Sequence, residues 1–234
     1  MIKISNLNQT AGKISLIHTG DGSHSLELSE LNETYHSRNG AIRESIHVFI
    51  KSGLLFLPRE EGPVRILEVG FGTGLNVLLS VIEADNWNNE VEYTSLEPHP
   101  LPNEITSQLN YGKLTKRQDL LDRIHHSEWG VYERISRNFL LQKKMEKLED
   151  QVFYPNKYHV VYFDAFAPSR QKEIWDTENL IRIYDSMRPG AVFVTYSAQG
   201  EFRRNLKNVG FSVERLPGPE GKKHMTRALK PLLH

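Results

Sequence analysis

The sequence predicts an α/β protein whose mostly parallel sheet is covered by helices on both faces. Two observations carry that prediction. From Val64 the chain adopts a strand, glycine turn, helix pattern, first as "VRILEVG", "FGTG" and "LNVLLSVIEA". Further on, "YHVVYFD", residues 158 to 164, is apolar on both faces, as expected of a central strand in a parallel sheet.

Taken in order, residues 1 to about 38 alternate apolar and polar in short pieces, "KISLIHT" and "HSLELSE", around the turn-forming Asp21-Gly22. That pattern reads as a hairpin. "GAIRESIHVFIKSGLLF" then spaces Ile42, Ile46, Phe49 and Ile50 at helical intervals and stops near Gly53. Residues 1–60 are therefore expected to form an N-terminal extension packed on the core, and 61–234 the main domain, with a partly helical insert at about 101–138. Within the main domain Leu75, Leu78, Leu79 and Ile82 share a helical face, "VEYTSLE" is a second strand, and "AVFVTYS" is another after Pro189-Gly190. "FSVERL" and "MTRALK" close the chain around a loop rich in Pro, Gly and Lys. "LPNEITSQLNYG" and "KRQDLLDRIHHS" read as helices. "YERISRNFLLQKKMEKLED" has a helix-forming composition but alternates from Phe139 to Gln142, and a doubly wound sheet needs one more strand, which is placed near 139–148.

Bulk composition excludes more than it proposes. A chain of 234 residues can bury one large core. Its 29 basic residues balance 29 acidic ones, so net charge points to no partner. Charge is nevertheless uneven: from Gly200 onward eight basic residues face three acidic ones, a bias that suits either a polyanion or a solvated face. With no cysteine there is no disulfide framework, thiolate metal site or cysteine nucleophile, which fits a reducing cytosol. Neither a signal-peptide pattern nor an apolar run near the roughly 20 residues of a membrane span is present, so a soluble cytoplasmic protein is expected. The ten histidines make no metal pattern, and no metal is expected. No Gly-x-Ser-x-Gly elbow and no glycine loop ending in Gly-Lys-Ser/Thr appears.

The candidate chemistry gathers where strands end. "LEVGFGTG" sets Gly70, Gly72 and Gly74 between a strand and its helix, where backbone can approach a ligand and helix N–H groups are unpaired. Such a turn suits a dinucleotide, S-adenosylmethionine, or nothing but a tight bend. Its third glycine comes one residue too early for the dinucleotide fingerprint, and Glu68 in the strand would repel a pyrophosphate while suiting an ammonium. The balance favours S-adenosylmethionine. Glu97 ends the second strand 23 residues after Gly74, near the offset at which an acid accepts ribose hydroxyls. Glu149 and Asp150 could meet the adenine amine if the strand near 139–148 exists. Asp164 ends the apolar strand in "VVYFDAFAPSR", at the same sheet edge. A charge there needs a partner: a backbone amide or helix cap on one reading, a nucleophilic amine on the other. Phe166 and the rigid Pro168 would then frame a slot for a planar group. Tyr35 and His36 either line the acceptor pocket or serve packing alone, and Tyr196 is placed to stack on a base. Ser197 reads as the cap of a helix beginning near Gln199, and Lys222, Lys223 and Arg227 as phosphate contacts or a solvated loop.

"ILEVGFGTGLN", "SLEPHPL", "FDAFAP", "MRPGAVFVTYSAQGEFRRNL" and "GFSVERLPGPEGKKHMTRA", with the upstream "DGSHSL" and "YHSRNGAIRESIHVF", resemble the methyltransferase part of the MnmC family of tRNA 5-methylaminomethyl-2-thiouridine biosynthesis enzymes. The resemblance runs from about 19 to 230 and is weakest at 103–148. It implies methyl transfer from S-adenosylmethionine to the amino nitrogen of 5-aminomethyluridine at the tRNA wobble position. It also implies a Rossmann-like class I methyltransferase fold, a seven-stranded sheet with an antiparallel last strand. By position Glu68, Gly70, Gly72, Gly74 and Asn76 match the donor motif, Glu97 the ribose acid, and Asp164 with Pro168 the acceptor motif, with Asp164 and Tyr196 as catalytic candidates. No second glycine fingerprint for a flavin domain follows, so no FAD is expected; either a separate upstream tRNA-modifying enzyme supplies the aminomethyl group or that substrate arises directly. A class I transferase acting on a small, polyamine-like amine is the alternative.

Overall fold

The computed structural model describes residues 14–29, 33–58 and 62–232. Residues 1–13, where the predicted extension begins, and the predicted boundary at 60/61 lie outside the described residues.

The hairpin forms as its alternation requires. β1 (Ile14–His18) pairs antiparallel with β2 (His24–Leu28), Leu16 opposite Leu26, and a two-residue β3 (Glu33–Thr34) adds to β2. Asp21 ties the turn, its Oδ1 accepting from the Ser23 amide at 3.0 Å and the Thr19 hydroxyl at 2.9 Å. The predicted helix begins as α1 (Ala41–Ser45) and widens into a π-helical segment, Ile46–Lys51, that buries Val48, Phe49 and Ile50.

Eight strands make the main sheet: β4 (Val64–Val69), β5 (Val91–Leu96), β6 (Tyr132–Ser136), β7 (Phe139–Lys144), β8 (Tyr158–Phe163), β9 (Met187–Thr195), β10 (Ser212–Pro217) and β11 (His224–Leu229). Their order is β10-β11-β9-β8-β4-β5-β7-β6. Pairs among β7, β5, β4, β8 and β9 are parallel, whereas β11 runs antiparallel to both its neighbours. The central strands are apolar on both faces because each face carries its own core. Ile66, Tyr93, Phe139 and Tyr162 meet α2 (Leu75–Trp87); Leu67, Val161, Phe163 and Phe193 meet α6 (Thr177–Ser186) and α7 (Gly200–Val209).

Three expectations about elements change. The sheet has eight strands rather than seven, because Arg137-Asn138 reverses the chain and lets Tyr132–Ser136 pair with β7 at the edge. The strand placed near 139–148 exists but ends at Lys144, and Leu148–Asp150 is a turn of 3-10 helix. "LPNEITSQLNYG" forms no continuous helix: α3 (Asn103–Thr106) and α4 (Tyr111–Thr115) are separate, and α5 (Gln118–His126) follows after Lys116 takes a left-handed φ of 59°.

The parallel register brings the ends of β4, β5 and β8 level, Val69 pairing with both Leu96 and Phe163, so that Gly70, Glu97 and Asp164 leave one edge together. This placement depends on β7 buttressing β5. Phe139 is fully buried between β5 and α2. Phe139→Ala should lower unfolding free energy by about 3–5 kcal/mol, measured by urea denaturation, whereas Gln142→Ala, half-buried on the same strand, should change it by less than about 1 kcal/mol.

Candidate functional site

A cavity of about 660 Å³ opens at the carboxyl edge of the sheet, within the range of small-molecule sites and at the position where open α/β sheets hold ligands. The glycine turn forms its floor. Gly70 has φ 96°, and a Cβ there would fall 2.6 Å from the Asp164 carbonyl oxygen, so only glycine lets the turn pass the end of β8. Gly72 at φ 50° lies under the Tyr35 ring, and Gly74, left-handed at φ 74°, is the residue from which α2 starts.

Glu97 faces the cavity from the end of β5. Its Oε1 accepts from the His99 amide at 2.9 Å and its Oε2 from the Gly72 amide at 3.1 Å, which aims the carboxylate and joins it to the turn. Burial pushes it up to about 7, against the pull of those two amides. Each oxygen keeps a lone pair for a diol.

Asp164 is the second acid. Asn76, on the first turn of α2, donates its Nδ2 to Asp164 Oδ2 at 2.8 Å. Burial, reinforced by the Glu44 carboxylate, pushes Asp164 up to about 7, opposed by the Asn76 hydrogen bond and the Lys222 ammonium. Beside it the Tyr35 and Phe166 rings meet edge to face at 5.1 Å. The loop after Asp164 is held on two sides: Trp175 Nε1 donates to the Phe166 carbonyl at 2.8 Å and Arg170 Nε to Glu33 Oε1 at 2.9 Å.

A family model described as S-adenosyl-L-methionine-dependent methyltransferase matches residues 134–231. The tRNA 5-methylaminomethyl-2-thiouridine biosynthesis bifunctional protein MnmC of Cupriavidus necator is 32% identical over 214 residues, 84% of this chain and 32% of that protein. Its namesake in Burkholderia mallei is 29% identical over 216 residues, 82% of this chain and 32% of that one. The crystal structure of MNMC2 from Aquifex aeolicus superposes with a TM-score of 0.72 at 25% identity, covering all of this chain and 81% of that one. The chain contains a methyltransferase domain of the MnmC type. It spans about a third of the length of the curated relatives it matches. The spermidine synthase of Thermotoga maritima, at 15% identity, TM-score 0.58 and coverage of 94% and 70%, shares the fold.

Within this domain of the MnmC type the cavity gathers Tyr35, His36, Gly70, Gly72, Asn76, Glu97, Glu149, Asp164, Phe166, Tyr196 and Lys222. Other predicted site residues lie elsewhere. Glu68 is fully buried beneath the cavity, its Oε2 accepting from the Ser95 hydroxyl at 2.6 Å, because alternation along β4 turns it toward α2. Gly74 and Pro168 shape backbone next to the cavity without lining it, and Asp150, exposed in the 3-10 turn, does not line it either. Lys223 is exposed outside it. Arg227 stacks 3.6 Å from the Phe56 ring centre and pairs with Glu214 at 2.6 Å, so it is no free phosphate contact. Tyr196 commits its hydroxyl to the Ala165 carbonyl at 2.8 Å, which makes it a holder of the Asp164 loop rather than a proton carrier. Ser197 does not cap α7; its amide donates to the Thr195 hydroxyl oxygen and its carbonyl accepts from the Thr226 hydroxyl. His36 lines the cavity yet is inward-held, its ring Nδ1 3.2 Å from Ser25 Oγ, and burial pushes it down to about 4.

One residue had gone unremarked. Glu44 lies in the cavity wall, its Oε1 accepting from Lys222 Nζ at 2.6 Å and its Oε2 from the Ser37 amide at 2.6 Å. Its sequence signal was its place on the buried face of α1 with Ala41 and Ser45, a face that Val48 of the π-helical segment continues. Lys222 in turn stands 4.2 Å above the Tyr196 ring, so it closes the acceptor side rather than reaching for a phosphate.

The acids give a pH signature. Glu68, Glu97 and Asp164 are raised from 4.5, 4.5 and 3.8 to about 8, 7 and 7. Groups raised on folding stabilise the fold while protonated, and that contribution is lost as pH climbs through the folded values. His36 and His125, lowered from 6.5 to about 4, act oppositely but only below 6.5, and Lys143, lowered from 10.5 to about 8, acts oppositely only above it. Between pH 6.5 and 8 the ligand-free protein should therefore lose stability, seen as a falling thermal midpoint at constant ionic strength. A flat or rising midpoint would show that the acids are not desolvated as described.

Proposed function

We propose that the chain transfers a methyl group from S-adenosylmethionine to the amine of a 5-aminomethyl(-2-thio)uridine at the tRNA wobble position, giving the methylaminomethyl form. The observation that supports this reading best is the pairing of two unlike half-sites in one cavity: Glu97 over the glycine turn, and Asp164 beside the Tyr35 and Phe166 rings. A glycine floor that a Cβ would fill and an acid with spare lone pairs suit the ribose and methionine parts of the donor. An acid beside aromatic rings suits an amine carried on a flat base. The names of the MnmC relatives point to the same substrate.

When bound, the donor supplies a methyl carbon made electrophilic by its sulfonium sulfur; the N–C bond forms as the C–S bond breaks, and that electron pair stays on sulfur. The protein's part is mostly positioning. Glu97 holds the ribose. Asp164, ionised above about pH 7, accepts a hydrogen bond from the amine and takes the proton that the nitrogen sheds, which later passes to water. A free alkylamine is protonated at neutral pH, and the apolar walls disfavour that charge, so the site helps free the lone pair. A tRNA partner, a separate enzyme supplying the aminomethyl group and a cytoplasmic location belong to the same proposal. No described helix is long and apolar enough to cross a membrane, and no described cluster of His, Asp and Glu could hold a metal.

Two measurements test it. The protein is incubated with radiolabelled S-adenosylmethionine and tRNA from cells lacking this enzyme, and the nucleosides are analysed; label is expected in methylaminomethyluridine. Donor binding without tRNA labelling would move a small amine to the front. In the same assay Asp164→Ala should keep donor affinity within about threefold while turnover falls at least ~100-fold; loss of donor binding instead would make Asp164 a donor ligand.

A further inference from the structure

Beneath the cavity lies a polar cluster that the reaction above does not use. Glu68 is 0% exposed on β4. The side chains facing it are Ser95 and Tyr93 from β5, Asn76 from α2 and, beyond Asn76, Asp164; Tyr162 of β8 completes the surround. Ser95 donates to Glu68 Oε2 at 2.6 Å, and Asn76 donates Nδ2 to Asp164 Oδ2 at 2.8 Å. Three buried oxygens are left without a hydrogen-bond partner: Glu68 Oε1, Asn76 Oδ1 and the Tyr93 hydroxyl.

Buried polar atoms without partners are costly, and donors and acceptors here can be counted. Tyr93 has one hydrogen to give and, with its hydroxyl unpaired, can serve Glu68 Oε1 or Asn76 Oδ1 but not both. The other oxygen then still needs a donor: the Asn76 amide is aimed at Asp164, the Ser95 hydroxyl is on Glu68 Oε2 and the Tyr162 hydroxyl is engaged with Ser80 at 3.4 Å, so a proton on Glu68 is what remains. A protonated Glu68 closes the count, whereas an ionised Glu68 would set a negative oxygen against the Asn76 carbonyl. Flipping the Asn76 amide would turn that carbonyl on Asp164 and move the proton there, onto the carboxyl that must ionise for the reaction proposed above.

We propose that Glu68 is a positioning residue held as the neutral acid, which donates to Asn76 Oδ1 and thereby fixes the amide whose other end points its N–H at the Asp164 carboxylate. The proposal rests on the role given above to Asp164. It replaces the sequence-based assignment of Glu68 to the donor's ammonium, since Glu68 is fully buried and does not line the cavity. Burial in fact pushes Glu68 up to about 8, with Asp164 adding to the rise and Ser95, Asn76 and Tyr93 opposing it, consistent with a proton held at neutral pH. Because two carboxyls share one amide, keeping Glu68 neutral is what leaves Asp164 free to ionise.

Infrared spectroscopy of the ligand-free, carboxyl-labelled protein at pH 7 tests the proton directly and needs no substrate. Because Glu97 and Asp164 are themselves partly protonated there, the reading is the wild type minus Glu68→Gln difference spectrum: a protonated-carboxyl component lost with Glu68 is expected, and an unchanged protonated-carboxyl intensity overturns the proposal. Calorimetric titration with S-adenosylmethionine should give Glu68→Gln a Kd within about twofold of wild type, and a loss of tenfold or more would mean that a charged Glu68 serves the donor. With tRNA as substrate, Asn76→Ala and Glu68→Leu should move the acid limb of the pH–rate profile upward by about one unit, since Asp164 loses a hydrogen bond to its ionised form, and Glu68→Gln should restore it. An unmoved limb in Asn76→Ala overturns the relay even if Glu68→Leu fails to fold. Should the wild type methylate no tRNA, the substrate reading fails while the infrared result stands or falls separately.

Discussion

The backbone of residue 70 passes so close to the carbonyl of Asp164 that no side chain fits between them, and the site is built on that contact. It joins the glycine turn after β4 to the acid after β8, two segments about ninety residues apart in sequence that β-pairing has already brought level. Donor floor and acceptor acid therefore cannot drift relative to one another. A reaction that depends on lining up a nitrogen, a methyl carbon and a sulfur gains most from such rigidity. Further ties act the same way: the Gly72 amide on Glu97 and the Asn76 amide on Asp164 connect each acid to the turn or to the helix that springs from it.

Around this fixed centre the acceptor side is closed by parts from distant segments. Lys222, from the β10–β11 loop, grips Glu44 of α1. Next to that pair Asn39 Nδ2 donates to the Glu220 carbonyl at 3.2 Å and Arg43 meets the Glu220 carboxylate at 2.7 Å. The exposed pairs add little stability each. Their effect is geometric: they seat the N-terminal hairpin and helix against the loop, so the cavity has a wall where an open α/β sheet would have none. Arg170 with Glu33 does likewise for the loop carrying Phe166.

Much of the fold was legible because its signals are local. Alternation gave the hairpin, a two-faced apolar run gave β8, and a strand followed by glycines gave the turn. Phe139 to Lys144 was harder, since Lys and Gln in a strand mimic a helix; there the topology of the sheet supplied what composition withheld. β6 went unseen because an edge strand needs only one apolar residue, Ile135, to be held. The site was legible wherever a role is fixed by position at a strand end, as for Glu97 and Asp164. It was not legible where a role depends on which way a side chain leaves its strand or on contacts across the chain. Glu68 lies two residues from Gly70, yet one step of alternation sends it under the cavity; Arg227 is on a basic loop-strand junction, yet Phe56 and Glu214 claim it.

The three raised acids are separate answers to one physical problem. Excluding water around an amine strengthens every polar interaction in the site but penalises each charge the site must carry. Glu97 meets that penalty with two backbone amides, which cannot titrate, oppose the rise that burial causes and keep the carboxyl aimed at the cavity. Asp164 has a single amide hydrogen bond and a nearby carboxylate, Glu44, which leaves it poised between forms near neutrality, the condition a proton acceptor needs. Glu68 has two hydroxyls facing it and no cation, and there the less costly solution is to keep the proton. The chain thus sorts three carboxyls, all within one layer of the sheet edge, into a holder, an exchanger and a neutral donor, and it does so through the number and kind of donors each one meets.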